Sequence, residues 1–135
     1  MQKLNLLIND HAGVPLLAPL VQDSLVSSAQ FNKAEQSFEL HLNRVAHEHS
    51  HKEPLRINSY LMIPTALSVH HNGPHESLID LNLLTLDSSS KAENHYLFLI
   101  FSNNRTLRIT MSEMMFRLWD FGEHWTSPIP KHAVN

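Results

Sequence analysis

The sequence predicts an α+β fold in which a curved, mainly antiparallel sheet of about six or seven strands carries an N-terminal and a C-terminal helix. Three observations predict this class. Several segments alternate apolar and polar residues, which is the period of a half-buried strand. Most connections between these segments are too short for parallel crossovers. Two other segments repeat apolar residues at helical spacing. A pleckstrin-homology-like barrel is compatible with this order of elements.

The N-terminal region predicts a short strand followed by a helix. Lys3–Ile8 is apolar enough for a strand, and Asp10–Leu25 carries leucine and valine near helical spacing. Asp10 or His11 can cap the helix. Pro19 lacks an N–H and clashes with the preceding turn, so regular helix is expected to begin only near that residue.

Two alternating segments flank a histidine-rich loop and predict half-buried strands. In Ser37–Arg44, phenylalanine and leucine alternate with polar residues, and the turn Lys33–Gln36 joins this segment to a strand at Ala29–Asn32. Leu55–Ile63 alternates in the same way, and its strand is expected to resume as far as Val69.

The second half of the chain predicts three more strands. Ile79–Leu83 alternates up to a slip at Leu84, where a β-bulge is expected. Ser88–Ser90 predicts a flexible loop. Tyr96–Phe101 is apolar on both faces, as a central strand should be. Thr106–Met111 alternates again after a tight turn.

Beyond this strand the apolar period changes and predicts the C-terminal helix. Apolar residues from Met111 to Trp119 recur at helical spacing, Ser112 can cap the start, and Gly122 can end the helix. The tail from about residue 123 contains two prolines and is expected to be irregular.

The composition is that of one globular domain. The 135 residues are 42% hydrophobic and 17% charged, with a formal net charge of −3. This predicts a single domain over residues 1–135 with a proper core. The weak negative charge makes nucleic acid an unfavourable partner. The chain has no cysteine, which excludes disulfides and thiol chemistry.

The distribution of apolar residues predicts a cytoplasmic protein without membrane contact. The first apolar run ends at Asn9 and Asp10, too early for a secretory signal. The longest uninterrupted run, Tyr96–Phe101, is far shorter than the roughly 20 residues that span a bilayer.

Eleven histidines make this residue type unusually frequent, and the first of two clusters is a candidate metal site. The clusters are His47, His49 and His51, and His70, His71 and His75. Imidazole binds zinc, nickel or copper well. On a strand, neighbouring rings of the first cluster would lie about 6.6–6.8 Å apart, so the loop must curl for all three of them to reach one ion. The alternative is an exposed polar loop with no cofactor.

Two further surfaces are candidates for binding. Four arginines could lie on wet faces of the sheet and bind nucleic acid or a phosphorylated ligand, with ordinary charge decoration as the alternative. These are Arg44, Arg56, Arg105 and Arg108. The C-terminal helix has more apolar residues than one face needs, which predicts contact with a protein partner or a second copy of the chain. The surplus residues are Met114, Phe116 and Phe121.

No segment matches a familiar catalytic motif. There is no Gly-x-Ser-x-Gly elbow, and three isolated glycines cannot form a phosphate-cradling loop. No catalytic residue is therefore predicted.

Three segments carry a family resemblance. QDSLVSSAQFNKAEQSFELHLNR (Gln22–Arg44), LNLLTLD (Leu81–Asp87) and RLWDFGEHWTSPIPKH (Arg117–His132) resemble the DUF2948 family of small alphaproteobacterial proteins. The resemblance implies kinship and a bacterial, cytoplasmic setting, and it carries over no catalytic or binding residues. The family continues after LNR with an aromatic and acidic stretch, whereas this chain has Val45–His51, so a metal role there would be particular to this member.

These patterns predict a non-enzymatic binding domain that acts on a protein partner or on itself. The alternative is a transition-metal-binding protein that uses His47, His49 and His51 to hold zinc, nickel or copper. A metal-assisted hydrolase is the third hypothesis.

Overall fold

The computed structural model describes residues 2–49, 53–72 and 78–126, and the regular secondary structure of this part of the chain is almost entirely β-strand. Its helices are a 3₁₀ helix, His11–Gly13, and α1, Val14–Val21. Its strands are β1 (Asn5–Ile8), β2 (Ser24–Asn32), β3 (Ser37–Val45), β4 (Leu55–Ile63), β5 (Ala66–Asn72), β6 (Asn82–Lys91), β7 (Asn94–Phe101), β8 (Arg105–Met111) and β9 (Phe116–Thr126). None of the helices so described is long and apolar enough to cross a membrane.

The strands form one antiparallel sheet in the order β1-β9-β4-β3-β2-β6-β7-β8-β5. Strand β2 connects the two halves of the sheet, and its ladder with β6 is short, consisting of the pairs Ser24–Leu83 and Leu25–Asn82. We call β1, β9, β4, β3 and β2 the first arm, and β6, β7, β8 and β5 the second arm. The described sheet has two edges, β1 and β5, so the prediction of a pleckstrin-homology-like barrel is wrong.

The core lies between the two arms and beneath α1. Inward residues from both arms, such as Leu40 and Leu97, pack in one cluster with Leu17 of α1. Burying each side chain of this size contributes roughly 1.5–3 kcal/mol. The Ala66 amide donates to the Gln36 carbonyl (2.8 Å), which keeps edge strand β5 against the first arm.

The predicted α+β class with two packed helices is wrong, chiefly because the C-terminal helix does not exist. Its residues form strand β9, in which Phe116, Leu118 and Asp120 are buried. The period of two is hidden in the sequence because a charged residue faces inward and Trp119 faces outward. Gly122, the predicted helix end, sits with a φ of 76° where the β4–β9 register is irregular.

The N-terminal helix exists but is shorter than predicted. It begins at Val14 and contains Pro19, so the predicted start near that proline is wrong. Burial of Leu17 and Val21 against the core compensates for the backbone bond that the proline lacks. The capping role predicted for Asp10 is confirmed for the 3₁₀ helix, where its carboxylate accepts from the Gly13 amide (2.9 Å).

The remaining strands are longer and more numerous than the alternation predicted. The nine described strands exceed the expected six or seven. Ser88–Ser90, predicted as a loop, belongs to β6. The bulge expected at Leu84 is confirmed by the register shift between Leu83 and Thr85.

Candidate functional site

The histidine-rich loop follows β3 and is fastened to neighbouring backbone. Nε2 of His47 lies 3.0 Å from the carbonyl oxygen of Gln22, and Nε2 of His49 lies 3.1 Å from that of Gln2. The two rings therefore engage separate carbonyls, and His51 lies outside the described residues. Within the described ranges, no group of three or more histidine, aspartate or glutamate side chains could hold a metal ion.

Glu48, between these two histidines, ties the loop to the core. Its carboxylate accepts two hydrogen bonds from the Arg44 guanidinium, at 3.0 Å from Nη1 and 2.7 Å from Nη2. The Arg44 side chain is fully buried, whereas that of Glu48 is 21% exposed. This bidentate geometry is the strong form of an ion pair.

Asp120 is the second carboxylate on the same guanidinium. Arg44 donates to it from Nε (2.9 Å) and Nη2 (2.8 Å). Asp120 also accepts from the Ser59 hydroxyl and from the Leu4 amide (2.8 Å). We call Arg44, Glu48, Ser59 and Asp120 the buried charge cluster. Each of its charges has a partner, as a charge inside a protein requires.

The contacts of the buried charge cluster keep it ionised. Burial alone would raise the pKa of Glu48 and Asp120, but the hydrogen bonds and positive charge of Arg44 outweigh burial and lower both pKa values. Burial alone would lower the pKa of Arg44, and the two carboxylates raise it instead. At neutral pH the cluster therefore stabilises the fold, and the pKa shifts of its three ionisable groups move them away from proton exchange.

A further histidine packs against this loop from β9. The rings of His124 and His49 meet edge to face, with centroids 5.2 Å apart. Burial lowers the pKa of His124, and the nearby His49 lowers it further. The neutral form of the His124 imidazole is therefore favoured.

The four arginines predicted as a basic patch lie in different environments. Arg44 and Arg105 are 0% and 1% exposed, and Arg56 is 8% exposed. Nη1 of Arg56 donates to the backbone and side-chain oxygens of Asn43, at 3.1 and 3.0 Å. Arg108 alone of the four is half-buried. The four arginine side chains therefore do not form one patch on a solvent-exposed face of the sheet.

The three residues predicted as an apolar interface are also separated. Met114 and Phe116 are 5% and 0% exposed and belong to the core. Phe121 is half-buried and lies on the opposite side of β9, facing away from the core. Only this last residue has the position that an interface needs.

Phe121 belongs to a group of aromatic residues on the non-core face of the first arm. Tyr60 on β4 lies opposite Trp119 on β9 and His41 on β3. We call His41, Tyr60, Trp119 and Phe121 the ring face. An antiparallel sheet with one face on the core normally presents polar residues on the other face. Four half-buried rings there are therefore unusual.

The rings contact one another across three strands. Tyr60 stacks on Phe121 with centroids 4.6 Å apart and planes 17° apart. Its ring centroid also lies 5.2 Å from that of Trp119 and 5.1 Å from that of His41. Such contacts add about 0.5–1.5 kcal/mol beyond burial and hold the rings in one arrangement. Leu7, on edge strand β1 beside this face, is 51% exposed.

The sequence analysis missed the ring face because β9 was predicted as a helix. Had β9 been predicted as a strand, Trp119 and Phe121 would fall on one side of it, two residues apart. The two-residue alternation in Phe116–Phe121 was thus the sequence feature that could have revealed the ring face.

A second constellation that the sequence did not reveal joins the 3₁₀ helix to the second arm. Nδ1 of His11 lies 2.9 Å from Oγ of Ser88, and its Nε2 lies 2.9 Å from Nδ1 of His95. The partners are 77 and 84 residues away from His11. The Ser88 amide donates to Asp87 and cannot serve as an oxyanion donor. The arrangement therefore acts as a clamp between the 3₁₀ helix and the sheet.

Comparison with known proteins gives a family and one structural likeness. The model of a family described as "Protein of unknown function (DUF2948)" matches residues 4–132. No curated protein matches the chain. A crystal structure of an uncharacterized protein from Neisseria gonorrhoeae is similar with a TM-score of 0.45 and 9% identity, covering 96% of this chain and 100% of that one.

Proposed function

We propose that this chain, which belongs to the DUF2948 family, is a non-enzymatic binding domain that holds a protein partner on its ring face. The observation that carries the proposal is the stacked cluster of four rings on the face away from the core. The four rings are half-buried, so each keeps part of its surface open on this face. Tyrosine, tryptophan and phenylalanine are enriched at protein interfaces.

The charge around the ring face favours a protein over a nucleic acid. On this face, Arg117 of β9 lies between its cross-strand partners, Leu7 of β1 and Met62 of β4. Arg56, also on this face, is occupied by Asn43. Among the described residues, a phosphate backbone would therefore find few unpaired cations on this face, whereas apolar side chains beside Arg117 suit a protein surface. The occupant we propose is a protein that presents apolar side chains.

The metal-binding alternative and the hydrolase receive no support from the described residues. His47 and His49 bond to separate carbonyls, and no described group of three ligands converges. The cytoplasm remains the proposed compartment, in keeping with a chain that lacks cysteine.

A photoreactive residue at position 119 tests the proposal. Proteins that cross-link there are identified, purified and titrated against the unmodified chain. Tyr60→Ala should weaken the Kd by at least about 30-fold, the effect of a hot-spot residue worth about 2 kcal/mol. Tyr96→Ala, which removes the matched ring from the non-core face of the second arm, should leave the Kd unchanged.

Three outcomes would contradict this function. One is a partner whose affinity Tyr60→Ala leaves intact while the variant stays folded. Another is tight, steeply salt-dependent binding of single-stranded RNA at the ring face, which would make nucleic acid the ligand. The third is cross-linking only to a second copy of the chain, with light scattering showing a dimer, which would replace the separate partner by self-association.

A further inference from the structure

The non-core face of the second arm carries an arginine that has no anionic partner among the described residues. Arg108 lies on β8 and is half-buried. Its guanidinium carbon is 5.4 Å from the centroid of the Tyr96 ring, and its Nε is buried without a hydrogen-bond partner in the described part of the chain. A cation in this setting has been partly desolvated without the compensation that a carboxylate would give.

Arg108 also borders a cavity of about 340 Å³. The cavity is lined by His70, His71, Asn72, Phe98, Thr106 and Arg108. Small-molecule sites typically occupy about 300–1,000 Å³, so this volume suits a ligand at the small end of that range.

Strand pairing places the polar groups of the cavity around an aromatic floor. Arg108 lies opposite His70 on one side and Phe98 on the other, and Thr106 lies opposite Asn72. Guanidinium, imidazole, hydroxyl and amide groups can all donate hydrogen bonds to an oxyanion. The face of the phenylalanine ring offers a stacking surface to a planar group.

Two other charged groups, Asp87 and Arg105, lie on neighbouring positions of the sheet but do not line the cavity. Asp87 lies on the far side of Phe98, two strands from Arg108. That separation is about 9.6 Å at the usual strand spacing, beyond the reach of an ion pair. Nε2 of His71 is held 3.2 Å from Nη1 of Arg105. Among the described residues that line the cavity, Arg108 is the arginine.

We infer that this cavity binds a small phosphate monoester that carries a planar ring, such as a mononucleotide. The phosphate lies on Arg108 and takes further hydrogen bonds from His70, Asn72 and Thr106. The planar ring stacks on Phe98. The site lies on the second arm, so it is separate from the ring face and independent of the protein-binding function proposed above.

Isothermal titration with three probes tests this inference. Adenosine monophosphate should bind at least about tenfold more tightly than adenosine, because charge-assisted hydrogen bonds to the phosphate supply most of the affinity. It should also bind more tightly than inorganic phosphate, which cannot stack. Arg108→Gln should weaken nucleotide binding by about tenfold or more. Arg117→Gln removes an exposed arginine beside the ring face, on the other arm of the sheet, and is the matched control that should leave the affinity for the nucleotide unchanged.

A second variant keeps the test decisive if Arg108→Gln fails to fold. Phe98→Leu retains an apolar side chain but removes the stacking surface, and it should bring the affinity for the nucleotide down to that for inorganic phosphate. The inference is overturned if the wild-type chain binds none of the probes at millimolar concentration. Equal affinities for adenosine and its monophosphate would overturn it too, as would nucleotide binding that Arg108→Gln leaves intact in a folded protein.

Discussion

The two arms of the sheet each carry an arginine within a strand, and the two side chains have opposite surroundings. Arg44 on the first arm points into the core and donates to Asp120 and Glu48. Arg108 on the second arm points away from the core, and its charge meets only the Tyr96 ring among the described residues. A guanidinium whose N–H groups all have protein acceptors stabilises the fold. A guanidinium that lacks such acceptors and lies beside a cavity can bind a ligand.

The comparison shows that burial alone does not separate structural from functional charges. Two carboxylates, a hydroxyl and two backbone carbonyls surround the guanidinium of Arg44. Removing one partner of such a group leaves a desolvated charge, which costs far more than the pair itself contributes. Arg108 has no carboxylate partner in the described chain to lose, so its substitution should affect binding more than folding.

The largest effect that this comparison predicts is on the first arm. Asp120→Asn should lower the free energy of unfolding by about 3–5 kcal/mol, because the amide cannot balance Arg44 and places an N–H₂ group against other donors. Urea denaturation measures the change. Glu113→Gln makes the same change of charge at an exposed position and should stay within about 0.5 kcal/mol of the wild type. If Asp120→Asn also changed the free energy of unfolding by less than about 0.5 kcal/mol, the proposed difference between Arg44 and Arg108 would be wrong.

Acid should weaken the first arm next. The pKa values of Glu48 and Asp120 are lower in the folded chain than in the unfolded chain. Their contribution to stability is therefore complete above the ordinary carboxyl pKa of about 4 and is lost as pH falls through the lower folded values. The Tm measured from pH 7 down to pH 2.5 should fall most steeply at the acid end. In Asp120→Asn the fall should be shallower, and identical profiles would contradict the assignment.

Glu48→Gln should have a smaller effect than the change at Asp120. The Glu48 side chain is 21% exposed, so water can replace part of its interaction with Arg44. We expect a loss of about 1 kcal/mol in the free energy of unfolding. Amide hydrogen exchange should also rise in the loop around His47 and His49, since Glu48 holds that loop. If hydrogen exchange in this loop were unchanged, the two histidine–carbonyl contacts would be enough to hold the loop without Glu48.

Arg108→Gln should have the smallest effect on folding. Its guanidinium makes no ion pair within the described residues, so the free energy of unfolding should change by less than about 0.5 kcal/mol. The same urea titration measures this change beside that of Asp120→Asn. A loss approaching the Asp120 value would move Arg108 into the same structural class as Arg44.

The sequence predicted those strands whose alternation of apolar and polar residues is regular. Ser37–Arg44 and Leu55–Ile63 were found almost in full because their inward residues are nearly all apolar. β9 was missed because Asp120 occupies an inward position. An inward charge is stable there only because of Arg44, 76 residues away, and periodicity carries no information about such a partner.

The candidate sites were less predictable than the strands for the same reason. The ring face depends on Tyr60 lying opposite Trp119, and the cavity depends on Phe98 lying beside Arg108. Both are pairings across strands, which depend on register. The histidine cluster attracted attention by composition, whereas the informative residue of that loop is Glu48, which composition does not distinguish.

The position of β9 between β1 and β4 has a consequence for synthesis on the ribosome. Leu4 and Asp120 exchange hydrogen bonds in both directions, so the N-terminal strand waits for residues made more than a hundred positions later. Until Asp120 has left the exit tunnel, Arg44 lacks one of its two carboxylates and β4 presents an open edge. The nascent chain therefore cannot complete the β1-β9-β4 part of its sheet until β9 has been made. A truncated product that ends before β9 should be a substrate for chaperones and proteases.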